Sequence, residues 1–267
     1  MNRDVIRSFR RKIQKEAVLG PFMKTGDPAF VEVAGYAGYD FAILDMEHGP
    51  ESLQGMQNNI RAAQLTGMLP VVRVSSLSEV AISQALDIGA AGVQIPQITS
   101  AREAREAVRA ARYFPEGERG VCRFVRAACY SATEPAAYFQ EANQALVVIQ
   151  LEGQQAMENL DEILDVEGVD IVFIGPYDLS QSLGIPGEIT HPRVLDQMRE
   201  IVSRAAEKGA IVGTFTDSID MMKLWVDSGI RYLSYSVDVG IFKDACSGIR
   251  AQFDARYTEK CNRKYNG

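Results

Sequence analysis

The groups in this chain best placed to do chemistry are polar residues that close otherwise apolar runs. Asp45-Met46-Glu47-His48-Gly49-Pro50 follows FAIL, Arg73 follows PVV, Gln150-Leu151-Glu152-Gly153 follows ALVVI, and Gly175-Pro176-Tyr177-Asp178 follows DIVFI. Burying an ionisable group is costly unless it is paired or coordinates a metal, so these runs must end where their polar residues have partners. Glu152 and Asp178 supply hard carboxylate oxygens suited to Mg²⁺ or Mn²⁺, with Co²⁺ also compatible. The same spacing equally allows Glu152 to form a buried ion pair with Arg73. His48 has the chemistry of a general base near neutral pH, oriented by a carboxylate for which Asp45 is the natural local candidate. A hydrogen-bonded structural histidine is the plainer alternative. Arg73 can hold a carboxylate or a developing oxyanion. Gly175-Pro176-Tyr177-Asp178 opens a helix whose free N–H groups can bind an anion.

The elements that must position these groups read as alternating strands and helices. Eight apolar, β-rich runs recur, at 18–22, 40–45, 70–74, 92–96, 145–152, 170–175, 210–215 and 232–237. Near-continuous Val/Ile/Leu character is the mark of strands buried on both faces. Helix-like segments occupy 77–88, 100–112, 192–208 and 217–228, with Ser100 and Glu103 in a capping-box pattern and Gly209 as a stop. Right-handed βαβ units repeated eight times predict a (β/α)8 TIM barrel, an α/β fold that places its chemistry at the carboxyl ends of its strands. The rival, an open doubly wound sheet, usually carries a glycine-rich phosphate loop after its first strand, whereas MKTGDP stands there. Residues 1–267 are expected to form a single barrel domain with an inserted loop region at about 113–144. Four arginines, Arg112, Arg119, Arg123 and Arg126, fall in or beside that insertion and are expected to be mostly solvated. The N-terminal segment reads as a solvated helix with Val5, Ile6, Phe9 and Ile13 on one apolar side. His191, before Pro192, reads as a helix cap or surface residue.

Composition narrows the function. The 267 residues carry 28 Lys and Arg against 35 Asp and Glu, a net charge of −7, with no basic block to neutralise a nucleic-acid backbone. No run approaches the length of a membrane span. Two histidines leave little room for a His-rich zinc site, and four cysteines without a CxxC pair suggest reduced thiols in a cytoplasmic protein. Strands five to eight hold no lysine, which leaves Lys24 as the lone Schiff-base candidate near the mouth and favours metal over imine chemistry.

DFAILDMEHGP, PVVRV, GVQIPQI, FPEGERG, VIQLEG and DIVFIGPYDLSQSLGIPG, taken in order, resemble the HpcH/HpaI aldolase/citrate lyase family over about residues 15–255. They are most similar to its class II pyruvate aldolase branch. The resemblance implies a divalent metal, no organic cofactor, and reversible cleavage of a 4-hydroxy-2-oxo acid or 2-keto-3-deoxy sugar acid to pyruvate and an aldehyde. By motif, Glu152 and Asp178 match the metal ligands, His48 the general base and Arg73 the arginine that stabilises the enolate oxygen. Gln150 matches a substrate-contacting glutamine, while Gly175 and the backbone N–H groups of Tyr177 and Asp178 match the site of the pyruvate carboxylate. Asp87 matches an aspartate credited with raising the basicity of the histidine, although it precedes strand four and so falls at the other end of a barrel. The loop RFVRAACYSATEP departs from the commoner small-residue pattern and is expected to see the aldehyde part. The resemblance further implies a homo-oligomer, a hexamer or trimer of dimers, whose C-terminal helix packs on a neighbour. An acyl-CoA lyase of the same superfamily, a phosphate-handling barrel and a non-catalytic binding barrel are the alternatives.

Overall fold

The structure, a computed structural model, describes residues 3–258. Eight strands form, β1 (Val18–Met23), β2 (Phe41–Asp45), β3 (Leu69–Arg73), β4 (Gly92–Ile98), β5 (Leu146–Leu151), β6 (Ile171–Ile174), β7 (Ile211–Thr216) and β8 (Tyr232–Val237). Each is parallel to the next, and β8 returns to pair with β1 and close the barrel. The expected (β/α)8 barrel is the observed fold.

The two-residue period of the strands sorts their side chains. Phe41 and Ile43, Leu69 and Val71, Leu146 and Val148, and Ile171 and Phe173 point inward and join Tyr232 in one buried cluster. Alternate residues, such as Ala42, Leu44, Val72, Val147 and Ile149, pack against the surrounding helices. One step beyond the inner apolar residues, the same face turns polar: Asp45 after Ile43, Arg73 after Val71, Gln150 after Val148. Asp45, Arg73 and Gln94 stand at one register across β2, β3 and β4. The candidate site is therefore where the barrel interior stops being apolar.

The amino-terminal end is closed by helix α1 (Arg3–Ile13). Ile6, Phe9 and Ile13 are buried in the inner cluster, and Phe9 meets Phe41 and Tyr232 edge-on. The predicted apolar side is correct, and it plugs the barrel. Near this end β1 needs Gly20, because a Cβ there would lie 2.2 Å from the Phe41 carbonyl oxygen. Gly20→Ala is expected to destabilise the protein by about 1–3 kcal/mol, the range for forced overpacking, measured by urea denaturation.

The outer helices are α2 (Pro28–Tyr36), α3 (Leu53–Leu65), α4 (Glu79–Asp87), α5 (Ala101–Ala111), α6 (Pro135–Ala142), α7 (Gly153–Glu158), α8 (Leu160–Leu164), α9 (Pro176–Ser182), α10 (Pro192–Glu207), α11 (Ile219–Asp227) and α12 (Asp238–Phe253). Side chains at Asp27, Ser52, Ser78, Ser100 and Ser218 accept a first-turn N–H of α2, α3, α4, α5 and α11. Helix α12, sixteen residues long, buries only Asp238, and its Phe242, Ile249 and Phe253 are exposed. Among the described residues no helix is long and apolar enough to cross a membrane.

The insertion packs at the amino-terminal end, and this corrects the expectation for its arginines. Arg112 donates to the Ala145 carbonyl at 2.6 Å, just before β5. Arg119 pairs with Asp87 and lies over the Tyr113 ring. Arg126 donates to the Ile88 carbonyl and to Gln64 at the ends of α4 and α3, and Arg123 donates to the carbonyls of Ser131 and Thr133. These arginines tie loop backbone together rather than facing water or the mouth. RFVRAACYSATEP accordingly lies at the end of its own barrel opposite His48, where it cannot meet a ligand in the same mouth.

Candidate active site

Arg73 is the centre of the polar layer. Its Nε and Nη2 donate to the two oxygens of Asp45 at 2.8 and 2.7 Å. Nη1 lies 2.9 Å from Glu47 Oε2, and the guanidinium sits 4.6 Å from the Phe22 ring centroid. The fork geometry of arginine suits this two-sided grip. Asp45 Oδ1 also accepts the backbone N–H groups of Glu47 and His48, so the carboxylate shapes the turn that carries both residues. Burial pushes the Asp45 carboxyl up, but the Arg73 hydrogen bonds and charge, with the two N–H groups, outweigh it and hold it below the ordinary range.

This arrangement corrects two expectations. Asp45 is turned toward Arg73 and local backbone, not toward the His48 ring, whose charged neighbour is Glu47 at 3.9 Å. Asp87 ends α4, and helices of a barrel run back toward the amino-terminal end, so it faces Arg119 beneath the barrel while His48 stands above it. Neither aspartate orients the imidazole in the single chain. The Arg73–Glu152 ion pair is also displaced, since Arg73 takes Asp45 and Glu47 instead.

Gln150 lies on β5, and Glu152 follows directly after its end, ahead of α7. Gln150 Nε2 donates to Glu152 Oε1 at 2.6 Å, and Gln94 Nε2 donates to Gln150 Oε1 at 2.8 Å. Burial raises the Glu152 carboxyl, and the negative charges of Asp178 and Glu47 raise it further. Asp178 reaches back over the end of β6, with Oδ2 only 2.3 Å from where a Cβ on Gly175 would sit. Only glycine leaves that space for the carboxylate. Beside it, Tyr177 and Asp178 lie in the first turn of α9, ahead of its first helical bond from Leu179 N–H to the Gly175 carbonyl. Their N–H groups are of the kind a helix start leaves for an anion. Lys24, Arg73, Gln150, Gly175, Tyr177 and Asp178 line a pocket of about 220 Å³ at the mouth.

The residues fit a hard divalent cation. Burial and the neighbouring negative charges of Asp178 and Glu47 raise the Glu152 carboxyl, the electrostatic signature of a place waiting for positive charge. No cluster of three or more His, Cys, Asp or Glu side chains suited to a metal occurs among the described residues. Remaining coordination positions would fall to water and substrate, as is usual for Mg²⁺-type sites.

Three residues of the site escaped the sequence reading. Glu47 lay within DMEHGP but carried no assigned role, and Gln94 fell inside the apolar run at 92–96 without a role. Asp238, after β8, accepts the N–H groups of Lys24 and Thr25 and the Thr25 hydroxyl, pinning the loop that follows β1. Its signal was an aspartate directly behind a strand, in SVDVG. His191 behaves as expected: its Nδ1 accepts the Arg193 N–H at the start of α10.

Known proteins match this architecture along nearly its whole length. The family model described as HpcH/HpaI aldolase/citrate lyase matches residues 19–245. The chain is 36% identical over 256 residues to 2-keto-3-deoxy-L-rhamnonate aldolase of Escherichia coli O9:H4 (strain HS), covering 95% of each protein. Its structure is similar to that of an HpcH/HpaI aldolase/citrate lyase family protein from Burkholderia cenocepacia J2315, with a TM-score of 0.86, 31% identity and coverage of 95% and 99% of the two chains. An HpcH/HpaI aldolase from Desulfitobacterium hafniense DCB-2 gives 0.81 at 32% identity, covering 90% of this chain and 93% of that one. With the polar layer, the carboxylate pair and the barrel all in agreement, the chain belongs to the HpcH/HpaI aldolase/citrate lyase family and is a carbon–carbon lyase.

Proposed function

We propose that the protein is a divalent-metal-dependent, class II aldolase that cleaves a 4-hydroxy-2-oxo acid of the 2-keto-3-deoxy sugar acid type, reversibly, to pyruvate and an aldehyde. The observation that carries this reading is the convergence of Glu152 and Asp178 beside Arg73 and Gln150 at one barrel mouth. The named activity of the Escherichia coli relative supports the substrate class.

Glu152 and Asp178 would hold Mg²⁺ or Mn²⁺, and no organic cofactor is invoked. A cation bound there supplies Lewis-acid polarisation of the substrate ketone. The N–H groups of Tyr177 and Asp178 receive the substrate carboxylate at the start of α9. His48 accepts the proton of the C4 hydroxyl as the C3–C4 bond breaks. Arg73, already fixed by Asp45 and Glu47, directs its remaining N–H groups toward the oxygen that gains charge. Lys24 also lines the mouth, with its Nζ 4.0 Å from Asp45.

Stripping the protein with EDTA is expected to abolish pyruvate release from 4-hydroxy-2-oxo acids, and added Mn²⁺ or Mg²⁺ to restore it. Glu152→Gln should lose this rescue. Full activity without metal, or borohydride trapping of pyruvate on Lys24, would overturn the proposal. Turnover of acyl-CoA thioesters in preference to oxo acids would move it to the lyase alternative.

The same reading treats residues 1–267 as one catalytic domain working in the cytoplasm, in keeping with the free thiols Cys122, Cys129 and Cys246. It also makes the protein a homo-oligomer, a hexamer or trimer of dimers. The exposed apolar residues of α12 support that, because isolated helices gain most of their stability by packing.

A further inference from the structure

We infer that Gln94 is a positioning residue that sets the orientation of the Gln150 amide and, through it, the readiness of Glu152 to bind a cation. The inference rests on the proposed metal role of Glu152 and deepens it.

Gln94 does not itself line the mouth pocket but is joined to it through Gln150. Its side chain is completely buried inside the barrel, on β4, at the register of Arg73. Buried amides inside an apolar barrel are unusual, and this one is incompletely satisfied: its Nε2 donates to Gln150, but its Oε1 has no hydrogen-bond partner among the described residues. A leucine or methionine would fill that volume without leaving an orphan carbonyl. The feature that the glutamine adds is a donor aimed at Gln150 Oε1.

That donor decides a two-way choice. The Gln150 amide can present either its NH₂ or its carbonyl to Glu152. An ionised carboxylate only accepts hydrogen bonds, so the NH₂ must face it, as it does at 2.6 Å. The Gln150 carbonyl then points back into a buried interior, where it needs a donor, and Gln94 supplies one at 2.8 Å. Without Gln94 the interior no longer answers the carbonyl, and the flipped amide, with its oxygen against Glu152, becomes competitive. The carboxylate would lose a donor and meet a repelling dipole. Glu152 Oε1 is held by Gln150 while Oε2 is left for a cation, so the relay also fixes which oxygen is offered.

The test uses metal-free full-length protein and Mn²⁺ alone, its binding followed by electron paramagnetic resonance of the free ion. Wild type, Gln94→Leu, Gln150→Leu and the double variant form a cycle, with urea denaturation run on each to separate folding from binding. Removing partners of metal ligands typically weakens affinity by 10–100-fold. Q94L is expected to weaken Mn²⁺ binding about tenfold, and to add nothing once Gln150 is leucine. Q94M, equal in length and unbranched, serves if Q94L does not fold, and the same result is expected of it. Wild-type affinity in a folded Gln94 variant overturns the inference, and so does an equal further loss on the Q150L background, which would mark a general packing effect. Failure of wild type itself to bind Mn²⁺ would remove the metal reading and this inference together, a result distinct from either of the others.

Discussion

Arg73→Lys is expected to give a folded protein whose kcat for pyruvate release falls by about 10²–10³-fold, the usual cost of losing a preorganised oxyanion donor, with KM changed much less. Arginine here does two tasks with one planar group. Nε and one N–H of Nη2 hold Asp45, while Nη1 lies 2.9 Å from Glu47 Oε2 as an ion pair without a formed hydrogen bond, which leaves N–H groups on both terminal nitrogens for a ligand at the mouth. Lysine offers three donors from a single point on a flexible stem and cannot reproduce the fork. It would keep Asp45 neutralised but leave the developing negative charge on the substrate unanswered. Because that charge exists mainly in the transition state, the loss should appear in kcat. Arg73→Met separates the structural task from the chemical one. It strands Asp45, whose side chain is wholly inaccessible, and removing one partner of a buried pair costs roughly 3–5 kcal/mol. The sign of the pH effect follows from the depressed Asp45 carboxyl. The pair's stabilisation is fully present above the ordinary aspartate range and is lost as pH falls through the lowered value, so R73M should remove part of the wild-type protein's sensitivity to acid. R73K with wild-type kcat would leave Arg73 as a structural residue only.

The barrel was legible because its strands are buried on both faces. Such strands read as continuous apolar runs, and the predicted 232–237 and 18–22 match β8 and β1 to within one residue. The mouth was legible for the same reason: charge at the end of an apolar run has few places to go. What could not be read was the partner of each charge. Asp45 lies three residues before His48, and sequence distance suggested a pair, but on the inner face of a strand its carboxylate meets the neighbouring strand's Arg73 at the same register. Gln94 was invisible as a site residue because its meaning depends on Gln150, 56 positions away. The insertion arginines misled for a different reason. Exposure was inferred from loop character, yet a loop of that length lying under a barrel must satisfy its own carbonyl groups, and arginine is the side chain that can reach several at once.

The two histidines of the chain should respond to substitution in opposite ways. His48→Ala is expected to lower kcat by about 10²–10⁴-fold, the range for removing a positioned general base, and to leave the urea midpoint unchanged. The His48 side chain is 64% exposed and makes its closest charged approach to Glu47 at 3.9 Å, so no buried partner is stranded when the ring goes. Nor is it part of the Glu152–Asp178 pair, so Mn²⁺ affinity should hold. The loss must then fall on proton transfer alone, and it should appear in pyruvate release with binding of pyruvate itself retained. His191→Ala should do the reverse. Its Nδ1 caps α10, and losing a cap costs about 0.5–2 kcal/mol, while the mouth lies elsewhere and kcat should stay at the wild-type value. Measuring both variants by steady-state pyruvate release and urea denaturation places each effect on one axis only. A full-rate H48A protein would remove His48 from the chemistry and leave the proton of the C4 hydroxyl to another group at the mouth, of which Glu47, 3.9 Å from the imidazole and paired with Arg73, is the nearest carboxylate to the ring that the geometry offers.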